Sequence, residues 1–258
     1  MNGCAVRTNQ LLDAETGRSV MLAFDHGGGG APRGGEHLPA VLDLLTASAV
    51  QGVLLGPGVS RAAGPRFAHP GAPAMITALD APVFSDVPGG HGVVRGHRRV
   101  LSARGALAYG ATAAKVLVPI GPGSAYDFAD TFELVAAACE EAHEVGLPVM
   151  VEPALWGENA VHDDTVIAHS ARQAWELGAD MIKIHAPRET RVLGEIVERS
   201  VGPVFVLGGD PAHIRGVHRA RRRVDRRGRG GRGRRPQRLG ARRARPHDRR
   251  APGRRARP

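Results

Sequence analysis

The chain has 258 residues, a length typical of one (β/α)8 barrel and also sufficient for two small domains. Apolar residues make up 42% of it and aromatic residues only 4%, so a large core can form but must consist of Val, Leu, Ile and Ala. The net charge of +10 combines +18 in residues 211–258 with −8 in residues 1–210, so the body is acidic and the tail strongly basic.

Disulfide-rich, secreted and membrane-spanning classes do not fit this sequence. Cys4 and Cys139 are the only cysteines, and their contexts give neither a metal-type spacing nor a disulfide framework. The N-terminus lacks a basic region followed by a long apolar run, and no stretch reaches the roughly eighteen apolar residues that span a bilayer. We therefore expect a cytoplasmic protein that makes no contact with membranes.

Short apolar runs alternate along the chain with longer stretches of helical spacing, and one Gly/Pro-rich loop is expected after residue 55. The strands are apolar almost throughout, which is typical of parallel strands buried on both faces. In chain order, the predicted elements are a strand at Val20–Asp25, a helix at Leu38–Val50, strands at Val53–Leu55 and Met75–Leu79, a helix at Leu101–Tyr109, a strand at Lys115–Ile120, a helix at Phe128–Val145, a strand at Pro148–Glu152, a helix at Asp164–Leu177, a strand at Met181–His185, a helix at Thr190–Ser200 and a strand at Val204–Leu207.

The regular alternation of strand and helix predicts an α/β fold of right-handed βαβ units. Seven units precede Asp210, which indicates a (β/α)8 TIM barrel truncated after about seven strands. The alternative is a doubly wound sheet, but no Gly-x-Gly-x-x-Gly follows the first strand and Gly27–Gly30 lacks the spacing that opens a helix. Beyond Asp210, Arg, Gly, Pro and Ala replace the apolar pattern. We therefore predict a barrel domain over residues 1–210 and a disordered, Arg-rich tail over 211–258.

Two lysines, Lys115 and Lys183, are the only ones in the chain, and both lie inside apolar strand runs. An ammonium group in such a place loses its hydration unless it is paired, so its pKa falls, and a lysine near neutrality is a nucleophile for carbonyl carbon. The resulting iminium stabilises a carbanion at the adjacent carbon, which is how carbon–carbon bonds are made and broken. A second lysine nearby would keep the first deprotonated. The alternative is a structural ion pair for each lysine.

Other polar residues stand at the ends of predicted strands, where the active sites of (β/α)8 barrels lie. Proton transfer needs a carboxylate, and Asp25 and Glu152 are the candidates. A Gly-Gly pair after a strand lets a phosphate approach backbone N–H groups. The alternatives are a loop cap, a salt bridge to a lysine, a rim histidine and a simple turn, respectively for Asp25, Glu152, His185 and the Gly-Gly pair. The strand-end residues are Asp25, His26, Asp80, Glu152, His185, Gly208 and Gly209.

Twelve histidines raise metal catalysis as an alternative. No His-x-x-x-His motif or tight His/Cys cluster is present in the sequence. His91 and His97 fall in a Gly/Arg-rich loop, and His26 stands alone at its strand end. We therefore expect neither a catalytic metal nor another cofactor.

Three motifs carry a family resemblance over roughly residues 10–210. Met21-Leu-Ala-Phe-Asp-His-Gly27 resembles the first-strand motif of the archaeal-type class I fructose-bisphosphate aldolases, within the superfamily of deoxyribose-phosphate and tagatose-bisphosphate aldolases. Gly178-Ala-Asp-Met-Ile-Lys183 resembles the Schiff-base strand of that family, and Pro203-Val-Phe-Val-Leu-Gly-Gly209 resembles its phosphate loop.

The resemblance implies roles for particular residues. Lys183 would form the Schiff base and Asp25 would take part in proton transfer. Independently of the resemblance, the strand-end argument makes Glu152 a second proton-transfer candidate, and Lys115 would tune the site electrostatically. A phosphorylated ketose would be the substrate, without metal, and a complete barrel would form a homo-oligomer. By the resemblance, Gly208 and Gly209 would hold a substrate phosphate, and the strand-end residues His26 and His185 are further candidates for substrate binding.

One departure affects the substrate. The archaeal-type enzymes are expected to carry a tyrosine just after the fifth strand, whereas Val151–Trp156 has none, and a glutamate there is more like the tagatose-bisphosphate branch. Two related activities stay open: a synthase that joins a ketose phosphate to an amino-aldehyde, and a thiolase-like acyl-transfer enzyme. The alternative outside enzymes is an inactive, basic-tailed nucleic-acid binder.

The tail lacks the eighth strand that the family would need, expected to resemble Gly-Val-Val-Val-Gly-Arg-Asn. Codons for Gly231–Leu239, read one nucleotide further along, can spell Val-Ala-Val-Val-Gly-Arg-Asn-Val-Trp, and the shifted codon of Gln237 allows only Asn or Ser. We therefore predict a GC-rich gene read out of frame from between about Asp210 and Val224. A genuine RNA-binding tail is the alternative, but without lysine or aromatic residues nucleic acid is disfavoured as a partner. A barrel without its eighth strand exposes two sheet edges and should have little activity.

Overall fold

The computed structural model describes residues 2–29, 34–83, 96–121, 128–156 and 159–208. It contains seven helices and nine strands in that part of the chain, together with a short 3-10 helix at His26–Gly29. The helices are α1 (Asn2–Gln10), α2 (Leu38–Thr46), α3 (Pro57–Phe67), α4 (Ala103–Ala108), α5 (Phe128–Glu144), α6 (Asp164–Glu176) and α7 (Thr190–Glu198). The strands are β1 (Met21–Phe24), β2 (Gly52–Leu55), β3 (Ala74–Ala78), β4 (Asp80–Val83), β5 (Gly96–Arg99), β6 (Ala113–Pro119), β7 (Val149–Ala154), β8 (Met181–Ile184) and β9 (Val204–Val206).

Seven of these strands form one parallel sheet in the order β1-β2-β3-β6-β7-β8-β9. The spatial order follows the chain order without reversal, whereas a doubly wound sheet reverses its strand order at a switch point. This curled sheet with helices on its outside matches a TIM barrel truncated after seven strands, as predicted. Within the described ranges, no strand pairs with the outer edges of β1 and β9, so both edges are open.

Two segments that were expected to be loops form regular elements instead. The expected Gly/Pro-rich loop after residue 55 is instead α3, which starts with Pro57 in the first turn, where a missing N–H costs nothing. Tertiary packing overrides the weak helix propensity, because Ala63 is fully buried and the Ser60 hydroxyl accepts a hydrogen bond from Thr77 at 3.0 Å. The expected loop around His97 is also wrong, since His97 lies on β5, which pairs antiparallel with β4.

The core has two apolar layers, one on each side of the sheet. Outside it, valine and isoleucine side chains of β6, β7 and β8 pack against the buried faces of α5 and α6. Inside it, an apolar base layer fills the end of the barrel where the strands begin. The base layer consists of Leu11, Leu54, Ile76, Ala113, Met150 and Met181.

Helix α1 closes the base of the barrel. Leu11, which follows the helix directly, is completely buried in the base layer. The Arg7 guanidinium donates a hydrogen bond to the Gly146 carbonyl at 2.9 Å, joining α1 to the turn after α5. The sequence gives little sign of this helix, because only Cys4 within it is buried. None of the described helices is long and apolar enough to cross a membrane.

Replacing Leu11 with Ala should destabilise the protein by about 2–5 kcal/mol, because it leaves a cavity in the base layer. Urea unfolding followed by circular dichroism measures this change. Val6→Ala is the matched control, since Val6 is 58% exposed on the same segment and its loss should cost less than about 0.5 kcal/mol. Equal destabilisation by the two substitutions would show that α1 does not close the base.

Candidate active site

A polar layer lies inside the barrel, directly above the apolar base layer. Side chains two residues apart on a strand point to the same face. Lys115 therefore stands above Ala113, Glu152 above Met150 and Lys183 above Met181, all towards the C-terminal ends of their strands. Asp25 follows β1 with the same parity as Met21, another residue of the barrel interior. Strand periodicity thus brings both lysines and both carboxylates to the barrel mouth.

Glu152 bridges the two lysines. Its Oε2 lies 3.1 Å from Lys115 Nζ, and its Oε1 lies 3.0 Å from Lys183 Nζ. Lys115 Nζ also lies 3.2 Å from Asp25 Oδ2. The four side chains thus form a continuous chain of alternating charge in the order Asp25, Lys115, Glu152, Lys183. We call this chain the lysine network.

Lys115 is held as a cation. Its side chain is only 3% exposed, and burial alone would lower its pKa. The negative charges of Glu152, Asp25 and Asp80 outweigh that effect and raise the pKa of Lys115 above its usual value. The shift is opposite to the one expected for an unpaired lysine in an apolar strand. Its two carboxylate contacts therefore favour the protonated form of Lys115.

Lys183 differs from Lys115 in its surroundings. Among the residues that the structure describes, it has a single carboxylate partner, and it is the most exposed member of the lysine network, at 13% of its side chain. For Asp25, burial would raise the pKa, but Lys115, Lys183 and His26 outweigh it and lower the pKa, so this carboxylate is ionised. Asp25 Oδ1 is buried and has no hydrogen-bond partner among the residues the structure describes.

Asp80 and His97 lie on the β4–β5 hairpin, and the negative charge of Asp80 also acts on Lys115. Both side chains are fully buried, with His97 Nε2 2.7 Å from Asp80 Oδ2. The same oxygen accepts a hydrogen bond from the Leu117 N–H at 2.5 Å. Strand β3 stops pairing with β6 at Ala78. The N–H of Leu117, further along β6, therefore has no carbonyl of β3 to bond, and the Asp80 carboxylate accepts its hydrogen bond instead. Sequence reasoning marked Asp80 as a strand-end residue but missed His97, because the hairpin was not predicted.

Two histidines meet at the mouth. His185 Nε2 accepts a hydrogen bond from the Leu155 N–H at 3.2 Å, which requires a neutral ring with its proton on Nδ1. His162 lies edge-on to it, with ring centroids 6.0 Å apart, and was not identified from the sequence. Burial lowers the pKa of His185, and His162 and Lys183 lower it further, against the opposing effect of Glu152.

The remaining sequence-predicted residues lie at the edge of the site or outside the described ranges. His26 is half exposed, and its Nδ1 lies 3.8 Å from Asp25 Oδ1, too far for a hydrogen bond. Gly208 follows β9 and is exposed. Gly209, His91 and the whole Arg-rich tail lie outside the described residues.

Comparison with known proteins identifies related chains. A model of the DeoC/LacD family of aldolases matches residues 19–222. An uncharacterised aldolase of Saccharolobus solfataricus is 22% identical over 221 residues, covering 81% of this chain and 78% of that protein. A 2-amino-3,7-dideoxy-D-threo-hept-6-ulosonate synthase of Halobacterium salinarum is 28% identical over 212 residues, covering 81% of this chain and 75% of that protein.

Solved structures share the fold. A Schiff-base-forming fructose-1,6-bisphosphate aldolase, studied through its reaction intermediates, superposes with a TM-score of 0.65 at 22% identity, covering 84% of this chain and 88% of its own. An archaeal fructose-1,6-bisphosphate aldolase superposes with a TM-score of 0.62 at 23% identity, covering 80% of each chain. At sequence identities this low, the superpositions show that this chain shares the fold of these enzymes and nothing more.

The lowered pKa of His185 predicts a loss of stability on acidification. The unfolded state takes up a proton near the ordinary pKa of 6.5, before the folded state does, so the His185 contribution to folding is complete above that pH and falls below it. The stability advantage of the wild type over His185→Gln should therefore shrink between about pH 7.5 and 5.5. Urea unfolding across this range measures it, with His169→Gln, an exposed position on α6, as control. A pH-independent difference would contradict the neutral ring.

Proposed function

Because this chain belongs to the DeoC/LacD family of aldolases, we propose that it makes and breaks a carbon–carbon bond through a Schiff base on Lys183. The observation that carries this proposal is the bridge of Glu152 between Lys183 and Lys115, at 3.0 and 3.1 Å. One carboxylate in contact with a nucleophile and a fixed cation can move protons without leaving its position.

Lys183 is the nucleophile because of its partners. Lys115 is clamped by two carboxylates and stays protonated, whereas Lys183 contacts one carboxylate and faces the mouth. The Lys183 ammonium gives a proton to Glu152 Oε1, and the neutral amine attacks the carbonyl carbon of the substrate. The adduct becomes a neutral carbinolamine when its proton passes from nitrogen to oxygen. Glu152 then returns its proton to the hydroxyl, which leaves as water, and a cationic iminium joins substrate and Lys183.

Cleavage uses the iminium as an electron sink. A carboxylate removes the proton from the hydroxyl group two carbons from the iminium carbon, and the bond between the intervening carbon and the hydroxyl-bearing carbon breaks. The electron pair moves into an enamine, and an aldehyde departs. The same carboxylic acid protonates the enamine carbon, and water hydrolyses the iminium to the ketone and free Lys183. Glu152 is the nearest carboxylate to Lys183, and Asp25 is the second candidate for these proton transfers.

Lys115 acts without touching the reacting carbon. By holding Glu152 Oε2 it leaves Oε1 directed at Lys183, so the proton acceptor is in place before the substrate enters. Its second contact holds the ionised Asp25 carboxylate beside the same site. We assign it the role of a positioning residue.

The substrate we propose is a phosphorylated ketose resembling fructose bisphosphate. Support comes from the sequence motifs around Asp25 and Lys183, from Gly208 just after β9 and from His26 and His185 at the mouth, which would meet the anionic groups. The absence of tyrosine in Val151–Trp156 favours a substrate different from that of the archaeal-type enzymes.

A related synthase reaction is the second candidate. Two relatives are 2-amino-3,7-dideoxy-D-threo-hept-6-ulosonate synthases, 28% and 26% identical to this chain, above the 22–23% of the fructose-bisphosphate aldolase structures. The same iminium and enamine chemistry, run toward condensation with a different acceptor, serves that reaction. An acyl-transfer activity and nucleic-acid binding by the tail have no comparable support.

The Arg-rich tail, we propose, comes from a changed reading frame. The family match ends at residue 222, inside the interval from Asp210 to Val224 in which the shift is expected. Sequencing the gene across this interval tests it. A confirmed, uninterrupted frame would refute the shift, and it would leave the proposed chemistry of the lysine network untouched.

Borohydride reduction in the presence of ketose phosphates should attach the substrate irreversibly to Lys183. The chain contains only two lysines, so peptide mass mapping assigns the adduct without ambiguity. Fructose 1,6-bisphosphate, tagatose 1,6-bisphosphate and deoxyribose 5-phosphate form the test panel, applied to this chain and to a frame-restored version. Lys183→Arg should abolish the adduct, and Lys115→Arg should leave its site unchanged.

The results separate the alternatives. An adduct on Lys115 would overturn the assignment of the nucleophile. No adduct on either version, with circular dichroism showing a folded barrel, would refute the Schiff-base proposal and leave both lysines with structural roles.

Glu152→Gln should lower kcat by about 10²- to 10⁴-fold, because it removes the proton-transfer group while keeping the side-chain shape. Steady-state kinetics on the substrate that gives the adduct measures this. Glu176→Gln is the matched control, since Glu176 is an exposed residue of α6 that forms a salt bridge with Arg172. A kcat of Glu152→Gln equal to that of the wild type would contradict this role of Glu152 and assign proton transfer to Asp25.

A further inference from the structure

A second group of chemically reactive side chains lies at the base of the barrel, at the opposite end from the lysine network. Cys4 of α1, His143 of α5 and Asp180, which precedes β8, bring a sulfur, a ring nitrogen and a carboxylate oxygen within 4.8 Å of one another. Cys4 is buried, and the side chains of His143 and Asp180 are each 24% exposed. The group is therefore shielded on one side and open to small ions on the other.

Hydrogen bonds already hold two of the three residues in place. His143 Nε2 lies 2.8 Å from Asp180 Oδ2, and the Val149 N–H donates to the same oxygen at 2.8 Å. Both bonds use Oδ2, so Oδ1 is the oxygen that an incoming cation would take. The carboxylate can thus bind an ion and keep its bond to the start of β7.

We propose that Cys4, His143 and Asp180 bind one Zn²⁺ ion, with water as the fourth ligand. Thiolate, imidazole and carboxylate are the three ligand types that zinc takes in proteins, and one residue of each is present. Zinc–ligand distances of roughly 2.0–2.3 Å require neighbouring ligand atoms to stand roughly 3.3–3.6 Å apart. His143 Nε2 and Asp180 Oδ2 lie 2.8 Å apart, closer than this range, and all three ligand atoms lie within 4.8 Å of one another, so the side chains must rotate to complete the site.

Binding must displace a proton. Burial, and then the Asp180 carboxylate, raise the pKa of the Cys4 thiol, with the Arg7 guanidinium acting in the opposite direction. The metal-free residue is therefore a thiol, and formation of the zinc–sulfur bond releases its proton to solvent. The raised pKa also makes Cys4 a poor nucleophile, which disfavours thiol catalysis at this place.

The ion would fasten α1 to the barrel. Helix α1 precedes the family-matched region, residues 19–222, and it is also attached through Leu11 in the base layer and the hydrogen bond from Arg7 to Gly146. A zinc ion held by α1, α5 and the start of β8 would link three separate segments. Its role is structural, and it is independent of the proposed reaction at the other end of the barrel.

Titration of the metal-free, reduced full chain with Co²⁺ tests the site. A thiolate ligand gives an intense near-ultraviolet sulfur-to-cobalt absorption that histidines elsewhere in the chain cannot produce. We expect one equivalent of Co²⁺ to develop this band and Zn²⁺ to abolish it. Cys4→Ala should remove the band, and His143→Gln should weaken binding by more than about tenfold.

Cys139→Ala is the matched control, because Cys139 is the other buried cysteine and is not a member of the cluster. It should retain the band, and Zn²⁺ should raise the Tm of the wild type and of this variant but not that of Cys4→Ala. A band that survives Cys4→Ala, or no band on folded wild-type protein at millimolar Co²⁺, would overturn the proposal. In that case Asp180 and His143 form only a hydrogen-bonded pair.

Discussion

The desolvation of two ammonium groups is the constraint on which the interior of this barrel depends. A buried charge costs several kcal/mol unless an opposite charge and hydrogen bonds compensate it. Here the compensation comes from Glu152, which is shared by both lysines, and from Asp25. The lysine network therefore links β6, β7, β8 and the end of β1, and removal of Glu152 would leave Lys183 without its carboxylate and Lys115 with Asp25 alone.

A buried charged network of this kind contributes less to the free energy of folding than a well-packed apolar layer would. Well-packed hydrophobic side chains in place of buried ion pairs are often neutral or stabilising. The base layer shows this alternative within the same barrel, since Met150 and Met181 occupy positions equivalent to Glu152 and Lys183 one layer below. Stability alone would favour a second apolar layer, and the charged layer is consistent with the proposed reaction at Lys183. Asp80 and His97 add a further desolvation cost, because both side chains are also fully buried.

Much of this arrangement is predictable from the sequence, because the signals are local. Apolar runs around Lys115 and Lys183 predict buried strands, and strand periodicity puts both lysines on the inner face. The number of carboxylates around each lysine is not predictable, since Glu152 and Asp25 come from other strands and their register is fixed only in three dimensions. This is why desolvation predicts a lowered pKa for Lys115 whereas the folded protein raises it. The pairs Asp80–His97 and His162–His185 and the cluster at Cys4 are missed for the same reason.

Neither lysine of this protein lies on the outer surface of the barrel. Positive charge outside the lysine network is carried by arginine and histidine, because Lys115 and Lys183 are the only lysines. Acylating metabolites, reactive aldehydes and amine-directed labels usually react first with the many exposed lysines of a protein. In this chain an agent that seeks a lysine must enter the barrel mouth, where Lys183 is the more accessible of the two. Covalent modification of lysine in the folded protein is thus confined to the site itself.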